Sequence, residues 1–133
     1  MPAAAERDNL GSMPTNILWL FCEDLSPWLP VWGDDTVETP EIDALAGDGI
    51  AFTRAFSPSP VCSPARSGII TGCYATSIGV HNHVSSRPGM PPVKLPEGVE
   101  PLPVLLRRAG YYTYNFGKDD YNFAYDREDL YAG

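Results

Sequence analysis

Apolar runs of strand length alternate along this chain with amphipathic stretches at helical spacing. Residues 16–22 are almost continuously apolar, which predicts a strand buried on both faces of a parallel sheet. Residues 39–49 predict a helix. Thr39 is placed to cap it and Pro40 to start it, and Glu41 and Asp43 fall in its first turn. Ile42, Leu45 and Ala46 share its apolar face, and Gly47 or Gly49 ends it. A short extended segment, 50–56, follows. The stretch from Ser63 to Gly72 predicts a second helix, with Ser63 as N-cap, Pro64 at the first helical position and Gly72 as a left-handed stop. A third covers 102–109, with Leu102, Leu105 and Leu106 apolar, Arg107 and Arg108 in the last turn, and Gly110 beyond it. Residues 111–116, aromatic and β-branched, predict a strand that ends at Gly117-Lys118. Residues 1–14 are polar and rich in small residues, and are expected to be flexible. The Pro-, Gly- and Trp-rich stretches 25–37 and 85–100 read as loops.

This pattern places reactive side chains at element ends. Cys62 falls just outside the positive end of the second helix, and Arg66 lies four residues on. Unpaired backbone N–H groups and the helix dipole favour an anion there, and the same field favours a thiolate. Arg66 adds a planar fork of donors suited to tetrahedral oxyanions. The plain alternatives are a small buried cysteine and a solvated arginine. Glu23-Asp24 follows the first strand, at the sheet edge where open α/β folds bind ligands, and hard carboxylate oxygens suit Ca²⁺ or Mg²⁺. An acidic pair opening a solvated loop is the alternative. His81 and His83 find no further metal ligand at suitable spacing and read as residues of a substrate-facing or solvent-exposed loop.

Composition narrows the picture. With 133 residues, 44% hydrophobic and 20% charged, the chain is long enough for one domain with a core and is not of disordered type. A formal net charge of -8 argues against nucleic acid or an anionic membrane surface as partner. It leaves room for a small anionic substrate at a local Arg/Lys site. Three cysteines, Cys22, Cys62 and Cys73, make no disulfide framework. No membrane span is expected, because no run approaches the roughly 20 apolar residues a spanning helix needs. The start of the chain lacks a basic segment followed by an apolar run. The expectation is therefore a cytoplasmic protein, or a periplasmic or secreted one if the true start lies elsewhere.

Cysteine phosphatases separate Cys and Arg by five residues, whereas here three intervene. The string C-x-P-x-R-x-x-x-x-T-G, carried by Cys62, Pro64, Arg66, Thr71 and Gly72, instead resembles the signature of the type I sulfatases. Members of that family convert the cysteine to formylglycine. T-P-x-x-D-x-L-A-x-x-G-x-x-F from Thr39, and L-L-R-x-A-G-Y-x-T-x-x-x-G-K ending at Lys118, resemble the same family. The likeness runs from about residue 16 to 118. It implies an α/β, alkaline-phosphatase-like doubly wound sheet, of which 15–133 would be the N-terminal part of the catalytic domain. It further implies a sulfuric ester hydrolase acting on a sulfated substrate, with a sulfated sugar expected. Cys62, Arg66 and Lys118 would be catalytic, Glu23, Asp24 and Cys62 would hold Ca²⁺ (or Mg²⁺), and Arg66, Lys118 and Asp120 would bind substrate. A formylglycine-generating maturation enzyme is the implied partner. Two positions depart from the family pattern: Glu23 stands where Asp is usual, and Asp120 where a His is usual. Relatives of this type are several times longer, so the chain alone is expected to be inactive. The alternatives are a phosphatase or phosphodiesterase of the same superfamily, whose nucleophile would be Ser or Thr rather than Cys62, and a non-catalytic fragment.

Overall fold

The computed structural model describes residues 15–132, so the segment 1–14 expected to be flexible lies outside the described residues. Four α-helices follow in order: α1 (Pro40–Asp48), α2 (Cys62–Thr71), α3 (Leu102–Arg108) and α4 (Arg127–Leu130). Short 3-10 turns occupy Pro30–Trp32 and Val84–Ser86. None of these helices is long and apolar enough to cross a membrane.

The helices at α1, α2 and α3 form where the apolar spacing predicts them, but their caps differ. Thr39 precedes α1 without a side-chain cap bond, and its hydroxyl is buried without a partner. Helix α2 begins two residues early. Val61 is its N-cap, Cys62 is already helical, and Ser63 does not cap. The Ser63 hydroxyl is used elsewhere: it accepts the Val84 N–H at 3.3 Å. Gly72 does close α2, at a φ of 67° that a side chain would strain.

The expected strands are the main correction. Residues 16–22, 50–56 and 111–116 run without ladder partners, and among the described residues the only bridge is an isolated parallel one between Val93 and Phe123. The physical reason lies in the pairing itself. A buried parallel strand satisfies its backbone only when flanked by neighbours that come from distant sequence, and none lies beside these segments. Leu18 is accordingly 82% exposed and Phe116 89% exposed.

The packed core sits instead around the C-terminal half of α2. Ile70, Ala75, Ile78, Val80 and Phe123 form it, with Val93, Leu95, Val99 and Tyr121 against its rim. Gly68 allows α2 to approach so closely, because a Cβ there would stand 2.9 Å from Pro58 Cγ and 3.0 Å from the Cys73 carbonyl oxygen. Tyr121 stacks on Phe123 with ring centroids 5.5 Å apart, and the Tyr121 and Tyr131 hydroxyls share a hydrogen bond of 2.6 Å. Burial pushes the Tyr121 phenol well up, and that bond adds to the effect. The chain end is fixed by Thr113, whose hydroxyl donates to the Leu130 carbonyl at 2.6 Å and whose carbonyl accepts the Ala132 N–H at 2.8 Å.

Candidate active site

Helix α2 organises the site through two small polar residues one turn apart. Ser63 and Ser67 are fully buried on one face. Ser63 holds the 3-10 turn after His83 by the Val84 N–H. The Ser67 hydroxyl accepts the Asn122 N–H at 2.8 Å. The Asn122 side chain donates in turn to the Asn82 carbonyl. Buried hydroxyls must find partners, and here those partners are the backbones of the two loops that carry His83 and Asp120. The loops are thereby tied to the helix whose first residue is Cys62.

Arg66, one turn into α2, pins a third loop. Its guanidinium donates to the Lys118 carbonyl at 2.6 Å, lies 4.6 Å over the Phe21 ring and sits 3.5 Å from Glu23 Oε2. The Lys118 ammonium donates to Glu23 Oε1 at 2.6 Å and stands 3.4 Å from Asp120 Oδ2. The bond from Lys118, followed by one with the Cys62 thiol, holds the Glu23 carboxyl below the usual carboxylate range. The same bond raises Lys118 above the ordinary lysine range.

Two sets of candidate ligands share Cys62. The ligand atoms of Glu23, Asp24 and Cys62 all lie within 4.8 Å of one another, and so do those of Cys62, His83 and Asp120. Asp24 and Asp120 both adopt a left-handed backbone, with φ of 56° and 50°. This conformation is uncommon outside glycine, though Asp tolerates it better than most residues, and it is characteristic of functional loops. Phe21, Glu23, Asp24, Cys62 and Arg66 line an open cleft of about 420 Å³.

The six residues expected to form the site, Glu23, Asp24, Cys62, Arg66, Lys118 and Asp120, are found at one place. His83 joins them from a loop whose sequence carries no ligand spacing. The signal that points to it is the pair of small hydroxyl residues Ser63 and Ser67 one turn apart on α2, whose buried hydroxyls take backbone N–H groups of the neighbouring loops. His81 remains exposed, outside both ligand sets.

Comparison with known proteins identifies relatives of this chain. A family model described as sulfatase matches residues 15–131. An ulvan-active sulfatase of Formosa agariphila is 40% identical over 128 residues, which cover 88% of this chain and 22% of that protein. Human N-acetylgalactosamine-6-sulfatase is 34% identical over 112 residues, 79% of this chain and 21% of the relative. An N-acetylgalactosamine-6-O-sulfatase of Bacteroides thetaiotaomicron is 33% identical over 115 residues, 85% of this chain and 22% of the relative. The chain thus spans about a fifth of the length of these curated relatives. No solved structure matches it.

Proposed function

The chain belongs to the sulfatase family, and from that premise we propose that it carries the nucleophile end of a sulfuric ester hydrolase acting on a sulfated sugar. One observation carries this reading. The Cys62 side chain, at the N-terminus of α2, is shared by the carboxylate pair Glu23 and Asp24 and by His83 and Asp120, with Lys118 reaching both groups. The sugar is suggested by the names of the relatives, which act on ulvan and on N-acetylgalactosamine 6-sulfate. In this reading residues 15–133 are the N-terminal part of a doubly wound α/β catalytic domain.

Two groups are implied by the family, and the residues present fit both. The Cys62 Sγ stands in for the oxygen of a formylglycine made from it by a maturation enzyme. Glu23 and Asp24 offer hard oxygens on the same side as that atom, a donor set suited to Ca²⁺. The hydrated form of a formylglycine at residue 62 would supply the hydroxyl oxygen for attack on sulfur, and a cation held by Glu23 and Asp24 would favour the ionised form of that hydroxyl.

The remaining chemistry is done by this chain's own side chains. Lys118, partly exposed beside Glu23 and Asp120, has an ammonium to offer to a sulfuryl oxygen. Arg66 holds the Lys118 backbone in place through its carbonyl bond and adds positive charge beside the cleft. Phe21 covers the guanidinium face and keeps its fork directed. Together these groups balance charge that grows on the sulfuryl oxygens in the transition state.

The test is turnover. The mature protein that carries this chain, produced with a formylglycine-generating enzyme, should cleave a chromogenic aryl sulfate and at least one member of a panel of sulfated sugars. A Cys62→Ala control should not. Equal rates in the two proteins would remove the assignment.

A further inference from the structure

The geometry points to His83 as a hydrogen-bond donor to a sulfuryl oxygen, contributed by the loop after α2 and oriented by Ser85 and Asp120. This inference rests on the sulfatase reading above.

The tautomer of His83 follows from its neighbours. The Ser85 backbone N–H donates to His83 Nδ1 at 3.1 Å. A backbone N–H is always a donor, so Nδ1 is an acceptor and carries no proton. The neutral ring therefore bears its proton on Nε2. The Ser85 hydroxyl, 2.7 Å from Nδ1, supports the same arrangement by donating as well. The Nε2–H points toward Asp120 Oδ2 at 3.7 Å, which is too long for a hydrogen bond. The donor is thus held in place but not consumed.

Asp120 is the anchor. Its Oδ2 is inaccessible to solvent and has no hydrogen-bond partner, although Lys118 Nζ stands 3.4 Å away. An orphaned buried acceptor in a left-handed loop is costly to keep. Here it lies between two cationic or donor groups and draws both toward the side of Cys62. The covered oxygen is the one that faces Lys118 and His83, so Asp120 acts on both of them through Oδ2. His83, 28% exposed at its side chain, and Lys118, 45% exposed, are open to substrate.

The same tautomer excludes a competing reading. Cys62, His83 and Asp120 have the donor types of a zinc site. A metal on Nε2 would move the ring proton to Nδ1, where it would face the Ser85 N–H. The loop is built for an Nε2–H donor. In the reaction the imidazole keeps its proton throughout. It would stabilise negative charge on a sulfuryl oxygen while an oxygen at residue 62 bonds to sulfur, the ester S–O bond breaks and its electron pair leaves with the alcohol oxygen, which takes its proton from water.

Two measurements test this with His83→Ala, His83→Gln and, as a folding control, His81→Ala. Gln retains an N–H donor near the Nε2 position but has no ring to titrate. In the mature protein, kcat on an aryl sulfate should fall about 100-fold in His83→Ala, as for loss of one oxyanion donor. It should fall less than about tenfold in His83→Gln, by the same reasoning on retained donors, and stay unchanged in His81→Ala. In the unmatured protein, calorimetric titration with inorganic sulfate should show roughly tenfold weaker binding in His83→Ala, as for loss of one bond to a charged group. If His83→Gln falls as far as His83→Ala, or if His83→Ala matches His81→Ala in both assays, the donor role is overturned. Wild-type protein without any turnover would overturn the sulfatase reading instead, and the sulfate titration would still decide His83.

Discussion

Lys118 Nζ and Glu23 Oε1 are joined by a hydrogen bond of 2.6 Å across 95 residues of sequence. The bond places an ammonium on a carboxylate that is also a candidate metal ligand. Cation and lysine therefore compete for Glu23. Replacing Lys118 by Met should tighten Ca²⁺ binding about two- to fivefold, the range that exposed ion pairs command, while lowering sulfatase turnover. Calorimetry on the mature protein reads the first effect and an aryl sulfate assay the second. Weaker Ca²⁺ binding in the variant would show that Lys118 supports the metal site rather than opposing it.

The same pair has a defined pH window. Glu23 is held below its ordinary range and Lys118 above, each chiefly by the other. A depressed carboxyl contributes stability above its unfolded pKa and loses it as pH falls through the folded value. A raised ammonium contributes below its unfolded pKa and loses it as pH rises through the folded value. The bond should persist at neutral pH and break at both extremes. Both groups are exposed, so the effect on stability is small. Carboxyl chemical shifts of Glu23 should titrate at lower pH in wild type than in Lys118→Met.

Cys62 should be converted to formylglycine when the protein is co-expressed with a maturation enzyme. The motivation is the complete string with Pro64 and Arg66 in place, and a side chain that is neither buried nor in a disulfide. Peptide mass spectrometry reads the conversion directly. Recovery of unmodified cysteine alone under those conditions would sink the assignment of residue 62 as nucleophile.

What the sequence disclosed depended on how local the interaction was. Helices α1, α2 and α3 were legible because their apolar faces, prolines and terminal glycines act within one or two turns. The caps were not. Ser63 has the chemistry of an N-cap, but a distant N–H from Val84 takes its hydroxyl, and no short-range pattern reveals that. The runs 16–22 and 111–116 have the composition of strands, yet strand pairing is non-local and these segments lie unpaired. His83 was hidden because its place is set by Ser63, Ser67 and Asn122, bonds that cross 21 to 55 residues.

Asp24→Asn should weaken divalent metal binding strongly, and Glu23→Gln less so. Asp24 makes no ion pair among the described residues, whereas Glu23 is already shared with Lys118 and Arg66. Loss of the Asp24 charge should cost more than the roughly tenfold that removal of an outer-sphere partner costs. Equal Ca²⁺ affinity in wild type and Asp24→Asn, measured by calorimetry, would refute the placement.

Gly68→Ala should destabilise the protein by about 1–3 kcal/mol, the usual cost of overpacking a tight contact. The added Cβ would meet Pro58 Cγ at 2.9 Å and the Cys73 carbonyl oxygen at 3.0 Å. Proline is rigid and the carbonyl is backbone, so neither yields cheaply. Denaturant unfolding with an unchanged midpoint would mean that the 57–60 approach moves aside freely.

The 133 residues alone should not turn over sulfate esters, even with residue 62 matured. Ca²⁺ takes about six to eight oxygen ligands, and among the described residues the cluster around residue 62 offers Glu23, Asp24 and residue 62 itself. Lys118 would then stay on Glu23 and be withheld from the sulfuryl group. The apolar residues of 16–22 add a second obstacle. Ile17, Leu18, Trp19 and Leu20 are each more than half exposed, and this is the segment that must hold Glu23 and Asp24 at a fixed distance from α2. Left uncovered, it is free to move or to associate with other copies, so the carboxylates would not stay within reach of residue 62. Expressed alone with a maturation enzyme, the chain should give no turnover above its Cys62→Ala variant on an aryl sulfate or on sulfated sugars. Clear turnover above that control would show that three protein ligands and Arg66, Lys118 and His83 make a sufficient catalytic set.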